Sequence, residues 1–132
     1  MKVLALDYGR ARTGVAVSDL TGTLARPLGV VENARSGSGL ARIAELVRSE
    51  QPDRVVVGLP LTLRGTRGQQ ALETQRFVEA LEAAVDVPVE SFDERFTTRL
   101  AGRTPDGAVS ATDARAAAHL LASYLEWAGR RS

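Results

Sequence analysis

With 132 residues and a formal net charge of +1, the chain has the length of a single domain, residues 1–132, able to bury roughly two thirds of its unfolded surface without disulfides. It lacks the strongly basic balance that alone would announce nucleic-acid binding. The absence of cysteine excludes disulfides, thiolate zinc sites and Cys nucleophiles, and leaves any chemistry to oxygen and nitrogen groups.

Lys2 to Asp7 reads as a short buried strand, Tyr8 to Arg12 as a glycine-bearing turn, and Thr13 to Ser18 as its hairpin partner. Asp7 follows only four apolar residues, too early for a signal segment. No apolar run approaches the ~18 residues of a membrane span, so a cytoplasmic protein without a membrane anchor is expected. Thr21-Gly22 supplies the next turn, and Ala25 to Glu32 a third strand whose Pro27 asks for an end or an edge. Ser36 to Gly39 reads as a Gly/Ser loop. Leu40, Ile43, Ala44, Leu46 and Val47 then recur at helical spacing until Pro52. Arg54 to Pro60 is a continuous apolar run, as in a strand covered on both faces. Gln69 to Ala84 returns to helical periodicity, Val87 to Asp93 is the last strand, and Arg99 to Ala108 reads as a loop. Ser110 to Ala128 is a long alanine-rich helix. The order βββαβαβα predicts an α/β domain: a mixed five-stranded sheet, opened by an antiparallel meander and completed by parallel crossovers, with helices on both faces.

Three sets of acids stand out. Val3, Ala5 and Asp7 share one face of the first strand, and Leu4 and Leu6 the other. Asp7 closes that strand, either bonding to the turn amides of Gly9 or Arg10 or carrying chemistry. Asp93 and Glu94 end the fifth strand; if the first, fourth and fifth strands are parallel, both lie on the edge of Asp7. Asp113 falls within about 40° of Ala117, Leu120 and Tyr124 on a helical wheel, the stripe expected to face the sheet, although Ser110-Ala-Thr-Asp113 also reads as a capping box. Carboxylates ~4 Å apart would repel by about 4 kcal/mol per pair at an effective dielectric near 20. A divalent cation removes that penalty, and oxygen-only ligands select Mg²⁺ or Mn²⁺, which serve in-line displacement at phosphorus.

These residues also form ordered blocks. Leu6-Asp7-Tyr8-Gly9 with Arg12 to Asp19, Val57-Gly-Leu-Pro-Leu61 with Gly65, Asp93 to Thr98, and Asp113 to Ala117 followed by Leu121 and Tyr124-Leu125 span nearly the whole chain. Together they resemble the motifs of the YqgF family of pre-16S rRNA nucleases and Holliday-junction-resolvase-like proteins. The resemblance implies an RNase H-like fold and a metal-dependent endonuclease acting in ribosome biogenesis, at the 5′ end of precursor 16S rRNA. It also implies Asp7, Glu94 and Asp113 as the metal-binding, catalytic acids. Two departures are local: the fourth strand ends in Gly58-Leu59-Pro60 without an acid, and Thr62 and Arg64 stand where the family often has Asn and an acid.

Arg10, Arg12, Arg64, Arg95 and Arg99, with Arg67, Arg103 and Arg115, follow strand carboxyl ends or sit at the start of the last helix, placed to clamp phosphates of a structured or precursor RNA, or of branched DNA. A resolvase acting on four-way DNA would need two symmetric sites, and no apolar helix face is left over for a strong dimer, so a monomer or weak homodimer is expected. A non-catalytic nucleic-acid-binding or transcription-associated protein would not need the acid trio. His119, the only histidine, lies off the Asp113 stripe and reads as solvated, which disfavours a Ser-His-Asp triad. Gly58 to Gly65 has the wrong spacing for a P-loop. Trp127 reads as a packing cap on the last helix.

Overall fold

The structure, a computed structural model, describes residues 1–9, 11–59, 69–93 and 109–131. Its elements follow the expected order: β1 (Val3–Asp7), β2 (Arg12–Ser18), β3 (Ala25–Glu32), α1 (Gly37–Glu50), β4 (Arg54–Leu59), α2 (Gln69–Ala84), β5 (Val89–Asp93) and α3 (Val109–Arg131). The strands form one five-stranded sheet, β3-β2-β1-β4-β5. The β1–β2 and β2–β3 pairs are antiparallel, whereas β1–β4 and β4–β5 are parallel. The carboxyl ends of β1, β4 and β5 therefore share one edge of the sheet.

Alternation along the central strands sorts the core into two layers. Leu4, Leu6, Val15, Val55 and Val57 pack with Ile43 and Val47 of α1 and Phe77, Val78 and Leu81 of α2. Val3, Ala5, Ala16, Val56 and Phe92 pack with Ala117, Leu120, Leu121 and Tyr124 of α3. Alanines on both sides of the second layer let α3 lie close to the sheet. Helices thus cover both faces, and β1 and β4, buried on each, read as unbroken apolar runs for that reason.

Two local readings shift. Ser36 to Gly39 is not a free loop: Ser36 caps α1 by accepting from the Gly39 amide at 3.1 Å, and Gly37 to Gly39 are already helical. A β-carbon at Gly39 would lie 2.0 Å from the Asn33 carbonyl oxygen, so this glycine serves close packing. Pro27 is on an edge strand as expected, beside the register shift in the β2–β3 pair. The Arg99 to Ala108 reading lies outside the described residues. No helix among them is long and apolar enough to cross a membrane.

Candidate active site

Asp7 is the last residue of β1 and is half-buried at the carboxyl edge. Its parity is that of Val3 and Ala5, so it belongs to the face covered by α3. Across the β1–β2 ladder it pairs with Gly14. On the other side, the β1–β4 register runs from Val3 beside Arg54 to Leu6 beside Val57, and one further step places Gly58 next to Asp7. Glycine therefore flanks Asp7 on both neighbouring strands. Register was needed to see this pairing; the sequence showed only two glycines in apolar runs.

The turn after Asp7 is tight. A β-carbon at Gly9 would approach the Arg12 carbonyl oxygen to 2.4 Å, and the Gly9 amide donates to the Oγ1 of buried Thr13 at 3.4 Å. Tyr8 turns to the opposite face of the sheet and stacks on Phe77, ring centroids 4.6 Å apart.

The direction of α3 brings its start to this edge. Near its end, Tyr124 bonds to Arg54 and Glu90, early residues of β4 and β5, and Leu125 lies beside Gly22. The helix consequently runs antiparallel to β1. Asp113 precedes Tyr124 by eleven residues, about 16 Å of helix, and Asp7 follows Val3 by four, about 13 Å of strand. The start of α3 and the end of β1 thus belong to the same end of the sheet. The sheet-facing residues Ala117, Leu120, Leu121 and Tyr124 are buried as expected, and Asp113 is four residues before Ala117. The capping-box reading does not hold: α3 begins at Val109, so Ser110 is already helical, Asp113 is its fifth residue, and no acid occupies the first turn.

Of the other expected site residues, Arg12 opens β2 beside the same edge and is exposed, as is Arg115 on α3. Glu94, Arg10, Arg64, Arg67, Arg95, Arg99 and Arg103 lie outside the described residues. Among the described residues, no three His, Cys, Asp or Glu side chains cluster in a way that could hold a metal ion. His119 is half-buried rather than fully solvated. Trp127 packs on Phe92 and Tyr124, with centroids 5.6 and 5.9 Å apart, in agreement with its reading as a packing cap.

Comparison with known proteins gives the family and the fold. Residues 1–127 match the family described as RuvX, Holliday junction resolvase. A Chloroflexus aurantiacus protein, provisionally named a pre-16S rRNA nuclease, is 42% identical over 98% of this chain and 88% of its own length. A Chloroflexus aggregans protein of the same name is 43% identical over 94% and 92%. Among solved structures, T. thermophilus RuvC in complex with Holliday junction substrate superposes with a TM-score of 0.62 at 20% identity, covering 96% of this chain and 94% of that one. That likeness establishes an RNase H-like nuclease fold.

Proposed function

From the premise that this chain belongs to the RuvX (YqgF) family, we propose that it is a metal-dependent endonuclease that trims the 5′ end of precursor 16S rRNA. As a family member it is a hydrolase of phosphodiester bonds. The observation that carries the reading is the glycine-flanked Asp7 at the edge where β1, β4 and β5 end and α3 begins. Such an edge of an open α/β sheet is where ligands are bound.

The donor chemistry fits a hard divalent cation, because the acids available at this edge offer only oxygen. Asp7, Glu94 and Asp113 would hold Mg²⁺ or Mn²⁺. The choice of Glu94 over Asp93 rests on the family resemblance. When bound, the metal polarises the phosphodiester and lowers the pKa of the attacking water. The chain's own residues do the rest. A phosphate would sit at Asp7, and Arg10, Arg12, Arg64, Arg95 and Arg99 would orient the backbone around it. The protein acts as a single cytoplasmic nuclease domain, monomeric or weakly dimeric.

A second reading, resolution of four-way DNA, is favoured by the family's own description. One panel separates the two: precursor rRNA, single-stranded RNA and a four-way DNA junction, each with Mg²⁺, Mn²⁺ or EDTA, cut by wild type and Asp7→Asn. Preferential cleavage of the precursor, lost by about 10³-fold in Asp7→Asn with binding unchanged, is expected. Paired nicks in the junction alone would establish the second reading, and full activity in EDTA would defeat the metal mechanism.

A further inference from the structure

On the face of the sheet opposite the Asp7 side chain, Tyr8, Ala34, Arg35, Leu40, Glu73, Arg76, Phe77 and Ala80 enclose a cavity of ≈ 240 Å³. We propose that this cavity receives one unpaired nucleobase of the substrate strand, a neighbour of the nucleotide whose phosphate lies at Asp7. The inference rests on the nuclease reading and names a substrate contact for it.

The lining has the chemistry of a base site. Its floor is apolar and partly aromatic, built on the Tyr8–Phe77 stack and on Ala34, which is fully buried. Its volume is below the ~300–1,000 Å³ of pockets that enclose drug-sized ligands, which suits a single planar ring system. Arg35 and Arg76 are exposed at its margin; a guanidinium can stack on a base, bond to its acceptor edge, or hold the adjoining phosphate. Glu73 adds an acceptor for base amino and imino groups. A lone phosphate would gain nothing from the apolar floor, whereas a base with its phosphate uses both the floor and the guanidinium margin.

Position connects the cavity to the cleavage site. Tyr8 follows Asp7 directly, so the two side chains leave the same strand end toward opposite faces. A strand crossing the sheet edge at β1 meets the acid on one side and the cavity on the other. Unpaired bases splayed from a backbone are the usual target of sequence-reading RNA contacts, and a duplex would not present one.

The test uses the whole protein and a labelled single-stranded RNA spanning the cleaved bond, with each base in turn replaced by an abasic residue. One position next to that bond should lose about tenfold in affinity, within the range of base-stacking contacts. Ala80→Trp, an exposed helical position whose new ring would fill the cavity, should weaken the intact RNA by a similar factor and erase the abasic effect, with its melting temperature retained. Arg76→Ala should weaken binding several-fold and lower its salt dependence. Wild-type binding by both variants, or a flat abasic profile alongside intact cleavage, would overturn the cavity proposal alone. Failure of the wild-type protein to bind or cleave any nucleic acid would overturn the nuclease reading with it.

Discussion

The two ends of the sheet treat their acids differently. At the amino edge, carboxylates are tied into structure. Asp53 accepts from the Lys2 amide at 2.8 Å, Glu50 lies 3.3 Å from the Lys2 ammonium, and Glu90 takes both the Arg54 guanidinium and the Tyr124 hydroxyl. Asp19 accepts from the Thr23 and Leu24 amides and from the Thr21 and Thr23 hydroxyls, closing the β2–β3 turn. At the carboxyl edge, Asp7 has glycine on both flanking strands, and Asp113 lies in the early turns of α3. Acids at the first edge act as fasteners; those proposed for the second would repel one another unless a cation is present.

The largest effect that could break this contrast concerns Asp113. As a metal ligand, Asp113→Asn should lower Mn²⁺-dependent cleavage by about three orders of magnitude while leaving the metal-free melting temperature unchanged or raised, because one of several crowded charges has gone. As the fifth residue of α3 it has little helix-terminal role to lose, since the macrodipole's influence fades beyond the first turn. A lowered melting temperature with wild-type cleavage would move Asp113 to the fastener group.

Gly58→Val tests the glycine flank itself. Valine suits a strand, yet its side chain would stand beside Asp7, and displacing a bound phosphate by ~1 Å can lower the rate about 10²-fold. Wild-type cleavage by a folded Gly58→Val protein would mean that the glycines do not shape the site.

At the amino edge, the matching change is Tyr124→Phe. It removes the hydroxyl that accepts from Arg54 at 2.7 Å and donates to Glu90. The remaining Arg54–Glu90 pair at 3.3 Å is partly exposed and weak. A loss of about 1 kcal/mol, or roughly 4 °C in melting temperature, is expected with cleavage untouched. Calorimetry and a cleavage assay on one sample decide it.

How much of this was legible follows from which constraints are local. The faces of β1 could be read because a strand's side chains alternate: Leu4 and Leu6 pack on α1 and α2, and Val3 and Ala5 on α3, as the alternation required. The buried stripe of α3 followed likewise from helical period. Gly39 was misread because the Gly/Ser signal of a loose loop is also that of a glycine pressed against a carbonyl, here that of Asn33. Gly58 and Gly14 gave no sign of flanking Asp7, since strand register is a long-range property. The cavity behind Tyr8 joins residues from β1's end, the approach to α1, and α2, which no spacing along the chain connects.

The smallest effect belongs to Asp19, and it is the cleanest test of sign. The Thr21 hydroxyl, with the Leu24 and Thr23 amides and the Thr23 hydroxyl, holds its carboxyl well below the usual carboxylate range. All these groups favour the charged form. In the unfolded chain the carboxyl titrates near its ordinary value of ~3.9, so as pH falls the unfolded state takes up the proton first. The contribution of Asp19 to stability is therefore fully present above that value and fades as pH drops toward the folded-state pKa. Denaturant unfolding of wild type and Asp19→Asn should show the variant less stable at pH 7 and the gap narrowing as pH falls below about 4. Oδ1 of the carboxylate, which accepts both amides, has a counterpart in the asparagine oxygen, so what the variant loses is the charge and the hydroxyl bonds at Oδ2. A gap that does not narrow as pH falls below about 4 would assign the effect to turn geometry instead. Cleavage at neutral pH should be the same in both proteins, because the β2–β3 turn is at the far edge of the sheet from Asp7. If Asp19→Asn abolished cleavage while remaining folded, the division between fastening and catalytic acids would fail at its simplest point.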